Sequence, residues 1–348
     1  MKKLTILFLI LLVISATGFS QGCLPEGITF TSQQQIDNFQ TDYPNCTMIE
    51  GDVIILNADI SNLDGLSVLT EIGGKLIIDS TQLTSLQGLN ALTSIGDGFS
   101  IVYNMGISNM AGLDALTTIE GSLSVGFSEM ENFYGMPELN SIGGLMLYMT
   151  GTTSLSGLEG LSAINGTLSL DNCFDLTSLS GLENVISIDG TINIFITGLT
   201  SLTGLDNIES ATINSLYIVS NENLSTCEVK SVCDYLSNPN GTITIQNNAP
   251  GCNNQPEVYD ACWVKVDETA AIDTHIQIFP NPAKNTITIL NSSNTKINEV
   301  VIYSPSGKII LQKKSPANSI DISKLPPGLY FVEIKTGLGD VRRKLIVE

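Results

Sequence analysis

The chain has 348 residues, of which 43% are hydrophobic and 14% are charged, and its formal net charge is −20. This length allows two or three domains, and the apolar content is sufficient for a buried core. Residues 21–274 hold three basic residues against 30 acidic ones, whereas residues 275–348 hold ten basic and five acidic ones. The break predicts a domain boundary near residue 275. The acidic body excludes nucleic acid as a partner, because nucleic-acid recognition needs a basic surface; it permits cationic or calcium-bridged partners.

The first twenty residues have the features of a signal peptide. Lys2 and Lys3 form a positive start, an apolar run follows over residues 4–14, and small residues precede a predicted cleavage near Ser20. The run is too short to span a bilayer, which needs about 20 apolar residues. Cys23 leaves a second interpretation open, in which the new N-terminus carries a lipid. Both interpretations predict export.

Residues 21–50 are predicted to form an N-terminal cap. Ser32 and Gln35 have the spacing of a capping box, and Ile36 and Phe39 fall on one face of the helix that would follow. A short amphipathic helix at this place would cover the open end of a stack of repeats.

Residues 51–226 repeat themselves with a nearly constant period. The frame is marked by Gly-Leu or Gly-Met pairs that follow one another at steps of 22 to 24 residues. The glycines of these pairs are Gly65, Gly88, Gly112, Gly135, Gly157, Gly181 and Gly204. A fixed period of about 20–29 residues with leucines in register predicts a stacked repeat architecture.

Each repeat contains two hydrophobic periods. The first half has an apolar residue at every third position, and the second half alternates, which predicts a strand with every other residue inside. The first inward residues are Val53, Leu76, Phe99, Leu123, Leu145, Leu168, Ile192 and Leu216, and Ile243 is expected to add a ninth strand. We expect a positive φ at the glycines between the halves, because sharp corners often need it. These glycines are Gly73, Gly96, Gly121, Gly143, Gly166 and Gly190.

A column of small or polar residues lies five positions after each first inward residue. Its members are Ala58, Thr81, Asn104, Ser128, Thr150, Cys173, Thr197 and Asn221. Polar side chains of this kind can bond backbone groups at a turn. Because Cys173 falls in this column and no histidine lies in the repeats, we expect a buried structural thiol and not a nucleophile.

The other six cysteines lie outside the repeats, as expected for an exported protein with disulfides. Cys23 and Cys46 flank the N-terminal cap, and a bridge between them is predicted. The remaining four define a C-terminal cap over residues 227–263, and their sequence positions alone leave three pairings open. They are Cys227, Cys233, Cys252 and Cys262. Metal binding is the alternative, but no two of these four have C-x-x-C spacing.

The repeat frames resemble the receptor L domain, the leucine-rich repeat of growth-factor receptor ectodomains. The resemblance rests on Gly-Asp-Val-Ile-Ile-Leu-Asn-Ala-Asp-Ile at residues 51–60 and on Leu-Thr-Ser-Ile-Gly-Asp-Gly-Phe-Ser-Ile-Val-Tyr-Asn at residues 92–104. It extends over residues 23–262 and implies an all-β fold, a right-handed parallel β-solenoid with disulfide caps that is used for extracellular binding. By analogy with the caps of leucine-rich repeat proteins, it favours the pairs Cys227–Cys252 and Cys233–Cys262. It implies no ligand residues.

The candidate ligand face lies on the outward positions of the predicted strands. Apolar and aromatic residues there are expected to form one strip, flanked by Asp79 and Asp171. The strip consists of Tyr103, Phe127, Met146, Tyr148, Met149, Phe195, Ile196 and Tyr217. Aromatic residues are enriched at binding hot spots, and a contiguous exposed apolar patch usually marks an interaction site. Packing of this strip against a cap or another copy is the alternative.

Residues 264–274 are predicted to be a linker, and residues 275–348 a small antiparallel β-sandwich of short strands between Pro and Gly turns. This tail resembles the C-terminal sorting domain of bacterial type IX secretion. The motif residues that carry the resemblance are Pro280, Asn281, Pro282, Gly307, Lys308, Gly328, Tyr330 and Lys344. It implies contact with the type IX machinery and its sortase, passage across the outer membrane, and removal of the tail within the linker. The body is then released or attached to the outer-membrane surface.

No set of residues in the sequence predicts catalysis or a cofactor, so we do not expect an enzyme. An active site needs a base, a nucleophile or a metal within reach of one another, and the single histidine, His275, stands alone. The sequence predicts a secreted or cell-surface protein that passes through the periplasm and recognises an unknown extracellular protein or glycan. A structural surface spacer is the alternative, and a polysaccharide-active β-helix enzyme is a third hypothesis.

Overall fold

A computed structural model describes residues 22–264, 276–291, 296–305, 307–314, 319–337 and 340–348. The predicted signal peptide, and the predicted linker apart from Val264, lie outside these residues. Strands dominate the described chain, and none of its helices is long and apolar enough to cross a membrane.

The body is built from short strands and three helices. In chain order they are β1 Gly22–Cys23, β2 Ile28–Phe30, α1 Gln33–Asp42, β3 Met48–Ile49, β4 Val53–Leu56, β5 Glu71–Ile72, β6 Leu76–Asp79, β7 Ser94–Ile95, β8 Phe99–Val102, β9 Thr118–Ser128, β10 Ser141–Thr150, β11 Ala163–Ile164, β12 Leu168–Asp171, β13 Ser187–Ile188, β14 Thr191–Phe195, β15 Ser215–Val219, α2 Lys230–Ser237, β16 Ile243–Gln246 and α3 Gln255–Val264. Two 3₁₀ turns lie at Asp64–Leu66 and Ser210–Thr212.

Successive repeats add parallel strands to a main sheet. Its order is β2-β4-β6-β8-β9-β10-β12-β14-β15-β16, and every neighbouring pair is parallel. A second parallel row contains β1, β3, β5, β7, the first residues of β9 and β10, then β11 and β13. We number the repeats 1 to 9 by the main-sheet strands from β4 to β16. The strand expected at Ile243 is therefore present as repeat 9.

The register keeps the predicted inward residues in one buried column. Leu123, for example, lies opposite Phe99 on one side and Leu145 on the other. All eight first inward residues are buried, and so are leucines of the three-residue period such as Leu86 and Leu89. Both halves of each repeat therefore contribute to one continuous core.

A polar ladder satisfies the backbone at the turn after the main-sheet strands. The side-chain amide of Asn104 donates to two backbone carbonyls at 2.9 and 2.7 Å, and its oxygen accepts from the N–H and hydroxyl of Thr81. Asn221 repeats this pattern with Thr197. Because a buried polar group without a partner is costly, each such asparagine fixes the path of the chain at the turn.

Two members of the predicted ladder differ from this pattern. Ala58 is exposed, so its assignment to the buried column was wrong. In that first repeat Asn57 has a φ of 145° and its amide donates to the carbonyl of Thr31, which ties the turn to the N-terminal cap. Ser128 is buried as expected, but its hydroxyl has no hydrogen-bond partner within the described residues.

The glycines between the two halves of each repeat are needed for a reason that the sequence did not reveal. None of these six glycines has a positive φ, so that expectation was wrong. A Cβ on Gly143 would lie 2.1 Å from the carbonyl oxygen of Glu120, and one on Gly166 would lie 2.2 Å from that of Gly143. The repeats approach too closely here for any side chain. Positive φ occurs instead at the glycines of the Gly-Leu and Gly-Met pairs from Gly88 to Gly204, for example 113° at Gly181, but not at Gly65.

The N-terminal cap contains the predicted helix. The Ser32 hydroxyl accepts from the backbone of Gln35, and the Gln35 side chain accepts from the backbone of Ser32, which completes the capping box. Ile36 and Phe39 are fully buried in the core of the body. At the opposite end, α2 and α3 contact each other, and α3 contacts β16.

Three disulfides close the two ends of the body. They join Cys23 to Cys46, Cys227 to Cys252, and Cys233 to Cys262. These are the pairs favoured by the cap position and by the family resemblance. Each bridge links residues 23 to 29 positions apart and so restricts the unfolded chain where a repeat lacks a neighbour.

The tail contains two antiparallel sheets. Its strands are β17 Ile276–Phe279, β18 Thr286–Asn291, β19 Ile297–Tyr303, β20 Ile309–Lys314, β21 Ser319–Asp321, β22 Gly328–Thr336 and β23 Asp340–Val347. One sheet has the order β17-β18-β21 and the other β20-β19-β22-β23. Buried residues of both sheets, such as Ile287 and Val332, form a single core. This agrees with the small β-sandwich that the sequence predicted.

The close approach of the repeats can be tested by adding one methyl group. We expect Gly143→Ala to lower the free energy of unfolding by about 1–3 kcal/mol, because the methyl would overlap a backbone oxygen. Gly126→Ala is the matched control, since a Cβ there would have no neighbour nearer than 3.4 Å. Urea unfolding followed by circular dichroism measures both variants. Equal stability would contradict the observed packing.

Candidate functional site

The outward side of the main sheet carries two adjacent columns of residues. In the first, the face column, residues of neighbouring strands lie directly opposite one another: Leu56, Asp79, Val102, Gly126, Tyr148, Asp171, Phe195, Val219 and Gln246. The second, the corner column, is the next residue of each repeat from repeat 2 onward: Ser80, Tyr103, Phe127, Met149, Asn172, Ile196, Ser220 and Asn247. The two columns run the length of the body.

Every member of the corner column has a left-handed backbone, with φ between 48° at Phe127 and 60° at Ser220. Asparagine accepts this conformation more readily than most residues with a side chain, and for a bulky or β-branched residue it is an outlier. Tyr103, Phe127, Met149 and Ile196 are such outliers, and the strain is on the order of 1–2 kcal/mol for each. Burial does not offset it fully, since Tyr103 is 51% exposed and Met149 41%. Strain of this kind is found preferentially at functional sites.

Three rings of successive repeats contact one another on this face. Tyr103 and Phe127 stack with their centroids 4.7 Å apart and their planes at 11°. Tyr148 meets Phe127 edge to face at 5.0 Å. Together with the exposed Met146 and Met149, they form what we call the aromatic patch of repeats 3 to 5. No charged residue belongs to the face or corner column in these three repeats.

The strip predicted from the sequence is interrupted. The register places Asp171 between Tyr148 and Phe195, and not at the side of the strip as expected. Repeat 6 therefore separates the aromatic patch from a second apolar group, which consists of the partly buried Phe195, Ile196 and Tyr217. Side-chain alternation placed all these residues outward, but the order of the repeats decides which of them are neighbours.

The two aspartates of the face column have the same local arrangement. The Asp79 carboxylate accepts a hydrogen bond from the Ser80 hydroxyl at 2.7 Å, and that of Asp171 accepts from the Asn172 amide at 2.6 Å. In each case the donor is the next residue, in the corner column. Within the described residues, neither aspartate has an ion-pair partner. Each carboxylate is thus held in place with capacity to accept further hydrogen bonds.

Sequence reasoning missed the left-handed corner and the role of Gly126. The corner could have been recognised from Ser80, Asn172 and Ser220, because small or amide residues recur immediately before the ladder. Gly126 lies in the face column between Val102 and Tyr148, and a Cβ there would make only ordinary contacts. Gly126 is itself buried, so the neighbouring residues cover it. Beside the patch lies a hollow whose lining includes Lys75 and Asp97 as well as Ser100, Ser122 and Ser124.

Cys173 lies in the polar ladder, as expected. Its thiol donates to the carbonyl of Asp171 at 3.4 Å, and the Thr150 hydroxyl donates to its sulfur at 3.7 Å. Burial raises the pKa of the Cys173 thiol, and the hydrogen bond from Thr150 opposes this only in part. A neutral buried thiol is chemically inert, because the thiolate is the nucleophile. Among the residues that the structure describes, no group of three or more His, Cys, Asp and Glu is placed to hold a metal ion.

The sorting-motif residues hold the tail together. The Asn281 side chain donates to the carbonyl of Lys344 at 2.6 Å and accepts from the N–H of Ile346 at 2.8 Å, so it joins the Pro-Asn-Pro turn to the last strand. The Tyr330 hydroxyl donates to the carbonyl of Pro326 at 2.9 Å. The other motif residues lie at turns or at a strand start: Pro280, Pro282, Gly307, Lys308 and Gly328. These contacts explain why distant blocks of the tail sequence belong to one motif.

One buried charge links three strands of the four-stranded sheet of the tail. Glu333 is 4% exposed, and its carboxylate accepts from the Arg342 guanidinium at 2.8 and 2.6 Å and from the Tyr303 hydroxyl at 2.9 Å. Burial raises the pKa of Glu333, but the bonds from Arg342 and Tyr303 outweigh it and lower that pKa. The carboxylate is paired and saturated, which indicates a structural role.

A parallel repeat sheet with disulfide caps is the architecture of a known domain class. The receptor L domain family matches residues 45–116 and 117–261, more than half of the chain, and the chain belongs to that family. Residues 277–348 match the secretion system C-terminal sorting domain. The two receptor L matches meet within a continuous sheet, since β8 pairs with β9 across their boundary. A search of curated proteins found no match.

A count of reactive thiols tests the three disulfides and the free thiol of Cys173. In the native protein we expect no reaction with a disulfide thiol reagent, because Cys173 is buried and its thiol pKa is raised. After unfolding in denaturant without reductant, one thiol per chain should react. The Cys173→Ser variant is the control and should give none. More than one reactive thiol in the unfolded wild type would contradict the three disulfides.

Proposed function

We propose that the body is an extracellular recognition module that binds its ligand on the aromatic patch. The observation that supports this is the strained corner, where Tyr103, Phe127 and Met149 occupy a left-handed backbone while remaining partly exposed. A spacer would have no use for large apolar side chains at this corner, since other repeats fill the same left-handed position with the polar Ser80 and Asn172. We propose binding and not catalysis, because the side chains of the outward face are suited to contacting a ligand and not to transferring a proton or a chemical group.

The proposal includes a right-handed β-solenoid as the form of the body. The 22- to 24-residue steps, the parallel register and the backbone contacts at the interior glycines support it. A solenoid displays one residue of each column per repeat, so that a long ligand meets a regular array of side chains. Adhesion to a surface or to extracellular material is the role that such an array suits.

Export is the second part of the proposal. The sorting tail assigns the chain to type IX secretion, with display at the cell surface or release as the result. We infer a signal peptide over residues 1–20 for the first membrane, and removal of the tail by the sortase within residues 264–274. The body is acidic and the tail is basic. This difference supports two units with separate functions, recognition by the body and sorting by the tail.

Deletion of residues 275–348 tests the export route. We expect the truncated chain to accumulate in the periplasm, while the full chain reaches the surface or the medium without its tail. Mass spectrometry of the exported protein should give a first residue near Gln21 and a last residue between 264 and 274. Normal export of the truncated chain would contradict the type IX route, and an intact tail on the exported protein would contradict its removal.

A paired substitution tests recognition by the patch. Phe127→Ala with Tyr148→Ala should abolish binding to any target found on protein and glycan arrays, without changing the unfolding midpoint, because both side chains are on the outside. Tyr134→Ala with Phe174→Ala is the matched control, since both rings are exposed outside the patch, at 57% and 63%. Full binding by the patch variant, or a wild type that binds nothing on either array, would contradict the proposal.

A further inference from the structure

We propose that the ligand is a neutral oligosaccharide chain that lies along the face and corner columns from repeat 2 to repeat 7. This inference rests on the proposed recognition function and names the ligand class. A pyranose ring has an apolar C–H surface and a rim of hydroxyl groups. A matching site therefore needs an accessible ring beside fixed hydrogen-bond acceptors, and this arrangement occurs twice on the outward face.

The first position lies at Tyr103. One side of its ring stacks on Phe127 of repeat 4, and the side chain as a whole is 51% exposed. The other side is directed toward repeat 2, where the corner residue is the small Ser80. The exposed part of the Tyr103 ring can there contact the C–H surface of a sugar unit that lies beside it on the outward face.

A carboxylate lies beside this position. Asp79 lies opposite Val102, the residue before Tyr103, and its carboxylate is oriented by the Ser80 hydroxyl at 2.7 Å. Its remaining lone pairs can accept hydrogen bonds from two neighbouring sugar hydroxyls. Bonds with a charged acceptor are stronger than those between neutral groups. Asp79 thus offers hydrogen-bond acceptors, and Tyr103 an apolar surface, to the same sugar unit.

The second position lies at Asp171, which the register sets between Tyr148 and Phe195. Its carboxylate is oriented by Asn172 as that of Asp79 is by Ser80. Asp79 and Asp171 are four repeats apart, about 19 Å at the usual strand spacing. The aromatic patch fills the interval without a charge. This spacing fits an extended chain of several sugars, with the carboxylates holding its units at repeats 2 and 6.

The face favours a saccharide over a protein ligand. Protein hot spots lie in desolvated pockets that take an anchor side chain. The rings here lie on the outward face of the sheet, and a hollow beside them is lined by polar and charged residues that include Lys75, Asp97, Ser100, Ser122 and Ser124. An anionic polysaccharide is disfavoured, because residues 21–274 hold 30 acidic residues against three basic ones. A neutral saccharide chain needs no deep pocket, and the acidic body does not repel it.

Calorimetric titration with defined hexasaccharides tests the inference. The probes are cellohexaose, laminarihexaose, mannohexaose and chitohexaose, with polygalacturonate and a hexalysine peptide as charged comparisons. We expect at least one neutral probe to bind with an affinity that does not change with salt, since no charge on the ligand is involved. Tyr103→Ala and the pair Asp79→Asn with Asp171→Asn should each weaken it more than about tenfold.

Matched variants and competing outcomes complete the test. Tyr134→Ala and Asp42→Asn, an exposed ring and an exposed carboxylate away from the face, should bind within about twofold of the wild type. Salt-sensitive binding of hexalysine alone, or array binding of a protein but of no neutral saccharide, would overturn the saccharide while leaving recognition in place. If saccharide binding survives both Tyr103→Ala and the paired aspartate substitutions, the saccharide site is not on this face.

Discussion

The close approach of successive repeats is the constraint on which the rest of the body depends. Neighbouring strands pair at the spacing of a parallel sheet, and at the interior glycines there is no room for a methyl group. Each residue type is then forced to stack on its equivalent in the next repeat. Buried leucines form a continuous core, and asparagine and threonine form the ladder. The same stacking brings residues from separate repeats, Tyr103, Phe127 and Tyr148, into ring contact.

Much of the fold could be predicted because the period of the sequence determines it. The inward columns, the capping box at Ser32, the ninth strand and the tail sandwich follow from hydrophobic spacing and turn residues. The backbone conformation of individual residues was harder to predict from the sequence. Glycine permits both a positive φ and a close approach of two backbones, and only the structure shows that Gly143 is needed for the close approach. Ala58 differs because the first repeat has the N-terminal cap on one side, where Asn57 bonds to Thr31 of the cap.

The sequence predicted which residues lie on the outward face of the candidate site, but not which of them are neighbours. Alternation along the strands placed the aromatic residues outward, yet the interruption at Asp171 depends on which repeats are neighbours. The strained corner could not be inferred from Tyr103 or Phe127 themselves, since these residue types disfavour the conformation that they adopt. This disagreement between residue type and backbone is the observation on which the proposed recognition function rests.

The ladder also shows that the middle of the body is held differently from its ends. Amide-based hydrogen bonds join Thr81 to Asn104 and Thr197 to Asn221, and the disulfides lie beyond both. Between them, Ser128 lacks a described partner and Thr150 meets only the weak acceptor sulfur of Cys173. The main chain compensates there, because β9 and β10 pair from Thr118 and Ser141 to Ser128 and Thr150, the longest register between neighbouring strands of the body. The repeats that carry the rings are therefore joined mainly by backbone hydrogen bonds, so that side chains on their outward face can change without loosening the sheet.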